Sequence, residues 1–161
     1  MFDRFEWWHA VLIFVVANVV SSIPAGIFGD DEFYTRLRTP PLAPPGWAFP
    51  VVWVLLNMTS LWALYRVANL PVESSTRSAF LISETAGWIF FATFTTLYFG
   101  MRSLTLGAVD TVLGLLVAAV SLWCASRLDI VAFGLILPRV LWLTLASYVS
   151  VCVAAMNRTP V

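Results

Sequence analysis

Five apolar runs separated by short polar breaks make up most of this chain. They cover roughly residues 7–28, 47–69, 79–100, 104–126 and 130–156. Each reaches the ~20 residues that an α-helix needs to cross a bilayer. Backbone polar groups in lipid must be satisfied within the segment, and no run alternates apolar and polar residues as a barrel strand does. The sequence therefore predicts an all-α fold, a five-helix membrane bundle forming a single domain over residues 1–161.

Composition points the same way. Hydrophobic residues make up 60% of the chain and charged residues 11%, and the mean hydropathy is +0.87, far outside the balance of soluble domains. All nine cations are scattered arginines, so there is no basic run for nucleic acid. Four arginines fall on each side of the predicted bundle, so the positive-inside rule selects no orientation. We expect an integral, multi-pass membrane protein surrounded by lipid.

The first run could also be read as a signal peptide, because its ten-residue apolar core (11–20) ends in small residues. Acidic Asp3 and Glu6 precede it, however, and the run begins with the bulky Trp7. These features favour a membrane helix over a signal peptide.

The longest connection, residues 29–46, interleaves acidic, aromatic and arginine residues in DDEFYTRLR before a proline-rich part. A loop of this length beside a small bundle more often folds back over it, so we expect a lid over a cavity. The breaks PVESSTRS (71–78), MRSL (101–104) and SRLD (126–129) are predicted to be turns that make successive helices antiparallel neighbours. An odd number of spans without a visible repeat argues against an inverted-repeat transporter.

Metal and thiol chemistry have little support in the sequence. His9 is the only histidine, and Cys124 and Cys152 both fall within apolar runs, where a thiol is most often a small hydrophobe. We therefore predict no metal site and no required cofactor.

Three of the eight tryptophans lie deep within the apolar runs. Most of the others fall near the ends of runs, where indoles settle at the headgroup level. Trp53, Trp88 and Trp142 lie seven or more residues inside, where each indole N–H needs a partner. Core packing explains any single one of them. Several together favour an aromatic-lined cavity for a flat apolar ligand with a few polar anchors.

Three ionisable residues, Glu84, Asp110 and Arg139, also lie within apolar runs. Such charges are costly in lipid unless paired, so we expect them to face inward. Counting from the shared face of the membrane places Glu84 and Arg139 within reach of each other, with Asp110 as the competing partner. Either a structural ion pair or an anchor for a ligand would account for them.

Small residues follow one stripe of the fourth run, with Gly107 and Gly114 seven positions apart and Ala108 and Ala118 close to them. A stripe of this kind allows close helix packing, either inside the bundle or across a homodimer.

Several motifs in order resemble one family. The stretch DEFYTRLRTPPLAPPGWAFPVVW is followed by YFGMR (98–102), GAVD (107–110) and LPRVLWLTLAS (137–147). Their sequence and spacing are similar to those of the TspO/MBR family, the translocator or tryptophan-rich sensory proteins. The resemblance implies a five-helix membrane bundle, often a homodimer, whose first loop caps a cavity for porphyrins, sterols or synthetic aromatic ligands. It also implies that Trp53 and Trp142 line that cavity.

The chain departs from the family pattern at several positions. Asn57 and Arg139 stand where the family has tyrosines. The family's helix-three Asn and Trp are matched by Phe91 with either Ala92 or Phe94, and its proline by Thr96. Pro41 and Leu42 replace the loop's aromatic pair. No arginine follows Tyr148 until Arg158, so the cholesterol-recognition pattern fails and a sterol is the less expected ligand.

The resulting expectation is a membrane protein that binds a porphyrin-like ligand in a transport or sensory role. The predicted ligand-binding residues are Phe49, Trp53, Asn57, Phe91, Phe94, Pro138, Arg139 and Trp142. Arg139 would favour a ligand carboxylate such as a porphyrin propionate. One alternative is light-dependent oxidative degradation of porphyrin by Trp53 and Trp142, although no general base or nucleophile is evident. Another is a structural or partner-binding bundle that lacks the ligand site.

Overall fold

The computed structural model describes residues 4–28 and 32–157, and in these residues the regular structure is helical. Five helices are long and apolar enough to cross a membrane, which confirms the all-α, five-span prediction. In chain order the helices are α1 (Trp7–Phe28), the short α2 (Glu32–Thr35), α3 (Ala48–Ala68), α4 (Ser75–Thr95), α5 (Leu104–Leu128) and α6 (Ile130–Met156). A π-helical turn, Thr96–Gly100, extends α4.

Two predicted turns are shorter in the structure, because residues at their ends cap helices. Ser74 has extended backbone angles and its side chain accepts a hydrogen bond from the Arg77 N–H. The helix therefore begins at Ser75 rather than 79, and residues 75–78 are not a turn. Likewise α5 runs on to Leu128, so Asp129 alone separates α5 from α6 instead of the predicted turn 126–129.

The bundle is centred on α5 and α6, which pack on each other, with α4 against α5 and α3 against α6. Helix α1 packs mainly on α4, and Ala17 is its only buried residue among those described. Its valines, leucine and isoleucines are largely exposed on the side that faces lipid. Cys124 is buried and Cys152 is half-buried, and both are free thiols.

The stripe of small residues on α5 packs inside the bundle. Gly107, Ala108, Gly114 and Ala118 are all buried within the single chain. A Cβ on Gly107 would lie 2.7 Å from the Tyr98 ring, and one on Gly114 would lie 3.8 Å from Phe90. Of the two uses that the sequence allowed, close packing of α5 against α4 is therefore the one observed.

The described part of the long loop folds back over one end of the bundle, which we call the loop face. At the end of α4 the chain turns through Arg102, whose φ is 49°. The Tyr34 hydroxyl donates to the carbonyl oxygens of Tyr98 at 2.7 Å and Phe99 at 3.1 Å. These belong to the last turn of the helix, where carbonyls have no N–H partner further along the chain.

A second attachment ties the loop to the end of α6. The Arg38 backbone donates to the Asn157 side chain at 3.1 Å and accepts from it at 3.0 Å. Leu37 and Ala43 pack against a small core that contains Val149. Residues 29–31 of the predicted lid lie outside the described residues. The loop thus lies across the ends of α4, α5 and α6, and its role as a ligand lid stays a prediction.

Asp129 joins three helices at the opposite end, the far face. Its Oδ2 accepts from Arg66 Nε at 3.0 Å and Nη2 at 2.7 Å, which links α3 to the α5–α6 junction. Its Oδ1 caps α6 by accepting from the N–H groups of Val131 and Ala132. Burial alone would raise the pKa of this carboxyl, but the hydrogen bonds from Arg66 and the α6 backbone, with the Arg66 charge, together hold it below its ordinary value.

We expect Asp129→Asn to destabilise the protein at neutral pH and to lose this effect in acid. A carboxyl with a lowered folded-state pKa stabilises the fold fully above its unfolded pKa of about 3.9. That contribution is lost as the pH falls through the folded-state value. Thermal unfolding in detergent from pH 7 to 3 should show the difference between the wild type and Asp129→Asn shrinking below about pH 4. A difference that is constant across this range would contradict the assignment.

Candidate functional site

A buried cluster of three polar side chains links α3, α4 and α6. Arg139 Nη1 donates to Glu84 Oε2 at 3.0 Å and to Ser60 Oγ at 2.6 Å, and Arg139 Nη2 binds Glu84 Oε1. The Ser60 hydroxyl donates to Glu84 Oε2 at 2.8 Å. The side chains of Arg139 and Glu84 are 7% and 0% exposed. The predicted pairing of Glu84 with Arg139 is therefore confirmed.

Asp110, the competing partner, lies elsewhere. It is buried on α5 and accepts a hydrogen bond from Thr93 Oγ1 at 3.1 Å. Its distance from Arg139 follows from the topology, because α5 enters the membrane from the loop face whereas Arg139 and Glu84 lie about two and a half turns from the far face.

Aromatic rings continue from this cluster toward the loop face. Phe49 and Trp53, one turn apart on α3, contact different neighbours. The ring centroids of Trp53 and Phe91 on α4 are 5.1 Å apart, and those of Phe49 and Trp142 on α6 are 5.4 Å apart. The edge of one ring in the Phe91–Trp88 pair meets the face of the other, with ring centroids 5.9 Å apart. These rings form two contact groups, Phe49 with Trp142 and Trp53 with Phe91 and Trp88, on successive turns of α3, and we call the five residues together the aromatic strip.

The other predicted ligand-binding residues have different surroundings. Phe94 stacks on Tyr98, with ring centroids 5.4 Å apart, and so belongs to the rings beneath the loop. Asn57 is buried at 3% exposure, and its Nδ2 donates to Asn18 Oδ1 on α1 at 3.4 Å. Pro138 is exposed, in contrast to the neighbouring buried Arg139. The structure thus brings together four of the eight predicted residues, Phe49, Trp53, Phe91 and Trp142, in the strip.

Three hydrogen-bond donors in this region have no acceptor among the residues that the structure describes. Trp88 Nε1, Trp142 Nε1 and Arg139 Nε are buried and unpartnered. Trp88 follows Glu84 by four residues and Trp142 follows Arg139 by three, so both indoles start about one helical turn from the ion pair. A buried donor without a partner costs about 1–3 kcal/mol. Arg139 Nε belongs to the cluster itself, and the two indole side chains start on the adjacent turns of α4 and α6.

Sequence reasoning missed Ser60 and the unpartnered donors. Ser60 lies eight residues before the end of α3, at much the same depth as Glu84 and Arg139 in their helices. A polar residue at that depth in an apolar run was the feature from which Ser60 could have been predicted as a third member of the cluster. The depth of Trp88 and Trp142 showed that each indole N–H needs a partner, but whether it finds one depends on which acceptors the folded helices supply.

Two apolar grooves lie on the outside of α1. One, of about 410 Å³, runs between α1 and α4 and is lined by residues that include Val16, Thr85 and Trp88. The other, of about 510 Å³, follows α1 from Asn18 to Ile27. Neither is lined by Trp53, Phe91 or Trp142. In the described residues, no three His, Cys, Asp or Glu side chains group in a way that could hold a metal ion.

Comparison with known proteins adds a family assignment. A profile described as the TspO/MBR family matches residues 10–156. A tryptophan-rich sensory protein of Cereibacter sphaeroides is 33% identical over 141 residues, which cover 87% of this chain and 86% of the relative. The tryptophan-rich protein TspO of Chlorobaculum tepidum is 26% identical, covering 78% of this chain and 79% of that protein. Protein CrtK of Rhodobacter capsulatus is 26% identical, covering 90% and 91%.

Proposed function

This chain belongs to the TspO/MBR family, and we propose that it is a membrane ligand-binding protein that holds a flat apolar ligand of the porphyrin type. The ligand lies against the aromatic strip of α3, α4 and α6. The protein acts in transport or sensing, with the long loop as the lid on the loop face. It works as a homodimer, which is what the sequence resemblance implies.

The observation that carries this proposal is the unpartnered indole N–H of Trp142, at one end of the aromatic strip. Flat aromatic ligands gain from stacking on rings, and a site for them needs a few polar groups that fix orientation. The strip supplies the rings, and the orphaned donors supply the polar groups. In this conformation the rings contact one another, so a ligand must separate them as it enters.

The loop contacts support the proposed lid. The hydrogen bonds of Tyr34 and Arg38 described above are made to the ends of α4 and α6, to residues outside the aromatic strip. Movement of the loop at these two points would leave the hydrogen bonds of the Ser60–Glu84–Arg139 cluster in place. Loops that are anchored at a few points can open and close over a site while the scaffold stays rigid.

Titration of the purified protein with protoporphyrin IX or its dimethyl ester tests the proposal. We expect tryptophan fluorescence to be quenched at micromolar ligand, because the porphyrin would lie against several tryptophans. Trp142→Phe and Trp53→Phe should each weaken binding. The matched control is Trp62→Phe, because Trp62 is 63% exposed on the lipid side of α3 and its loss should leave the affinity unchanged. Absence of quenching by both ligands would overturn the proposal.

A further inference from the structure

The buried ion pair changes what Arg139 can offer a ligand. A lone arginine beside an aromatic site would attract a carboxylate. Here both terminal nitrogens of Arg139 bind Glu84, and Nη1 also binds Ser60. The guanidinium charge is therefore neutralised within the protein, and the cluster carries no net charge.

A ligand carboxylate next to this pair would be a third charge in a buried place. Its attraction to Arg139 would be offset by repulsion from Glu84, whose side chain is 0% exposed. Burying an ionised carboxylate without a counter-charge costs several kcal/mol. The cluster therefore disfavours anionic groups, in contrast to the propionate anchor expected from the sequence.

Uncharged acceptors fit the same surroundings. Arg139 Nε, Trp142 Nε1 and Trp88 Nε1 are N–H donors without acceptors, and a carbonyl oxygen can accept from them with no charge to bury. Gly87 leaves room for a methyl-sized group beside the guanidinium, because a Cβ there would lie 3.9 Å from Arg139 Nη1, an ordinary van der Waals distance.

We propose that the Ser60–Glu84–Arg139 cluster is the polar end of the ligand site and selects ligands with a neutral hydrogen-bond acceptor, such as an ester or ketone carbonyl, over carboxylates. This selectivity rests on the proposed function, because it concerns the same site. Glu84 sets it by cancelling the charge of Arg139. Glu84 is thus a specificity-determining residue that need not touch the ligand.

The test compares the affinities of protoporphyrin IX and its dimethyl ester in the wild type and in Glu84→Gln. Glutamine keeps the shape of the side chain but leaves the Arg139 charge uncancelled. We expect the ratio of acid to ester affinity to rise about tenfold in Glu84→Gln, the size of one charge-assisted hydrogen bond. Comparing ratios between proteins removes the difference in how the two porphyrins partition into detergent. A rise of less than threefold would overturn the inference.

Two further variants keep the test decisive. Asp110→Asn removes a buried carboxyl that binds Thr93 instead, and it should leave the ratio unchanged. Glu84→Gln with Arg139→Gln removes both charges, so the acid should gain no affinity over its value in the wild type, and this expectation stands even if the single variant fails to fold. Loss of acid binding in this double variant would show that Arg139 holds a carboxylate, which would also overturn the inference. Failure of the wild type to bind either porphyrin would instead reject the proposed function itself.

Discussion

Replacing Glu84 by alanine is expected to lower the free energy of unfolding by about 3–5 kcal/mol, because it leaves the buried Arg139 charge without a partner. Ser60 alone remains to accept from the guanidinium, and a hydroxyl does not cancel its charge. Glu84→Gln with Arg139→Gln should recover much of this loss, since it leaves no buried charge. Unfolding in mixed detergent, followed by circular dichroism, measures both effects.

The exposed ion pair between Glu32 and Arg36 supplies the matched control. Its side chains are 81% and 69% exposed, and pairs of this kind often contribute nothing measurable. Glu32→Ala should therefore leave the stability within experimental error. Equal losses for Glu84→Ala and Glu32→Ala, or no recovery in the double variant, would show that the buried pair is not the source of the effect.

Gly107→Ala is expected to destabilise the protein relative to a matched glycine replacement elsewhere. The added methyl group would lie 2.7 Å from the Tyr98 ring. That ring cannot move freely, because it stacks on Phe94 and contacts Tyr34 of the loop. Overpacking of this kind costs about 1–3 kcal/mol, against a gain of about 1 kcal/mol from the better helix propensity of alanine.

Gly134→Ala measures the stability that alanine adds through its helix propensity alone. Gly134 lies on α6 with nothing within 4 Å of an added Cβ, so this variant should be neutral or more stable than the wild type. The free energies of unfolding of the two variants should thus differ by about 1–3 kcal/mol, with Gly107→Ala the less stable of the two. Equal stabilities would mean that α4 and α5 do not pack as closely as the structure has them.

The number of membrane-spanning helices and the favoured buried pair could both be predicted from the sequence, for one physical reason. Lipid requires apolar runs of a set length, and depth along antiparallel helices limits which charges can meet. That arithmetic favoured Glu84 as the partner of Arg139 and left Asp110 as the competitor, and the structure shows the first pairing. Family resemblance pointed to Trp53 and Trp142, and the structure places both on the aromatic strip.

The remaining features depend on side-chain geometry that depth does not determine. Phe94 was predicted to bind the ligand together with Trp53, but its ring stacks on Tyr98 beneath the loop. The attachment of the loop through Tyr34 depends on carbonyl groups that the π-helical turn leaves available. The start of α4 depended on Ser74, one of several serines that could have served as the cap. In each case the sequence pattern was compatible with more than one arrangement, and local contacts determine which arrangement forms.

A structure of the protein in lipid nanodiscs with protoporphyrin IX dimethyl ester bound would test the central claim most directly. We predict that the macrocycle lies between the rings of Trp53, Phe91 and Trp142, with an ester carbonyl directed at the Glu84–Arg139 pair. A macrocycle seated instead in the outer groove between α1 and α4, with the aromatic strip still closed, would contradict the account.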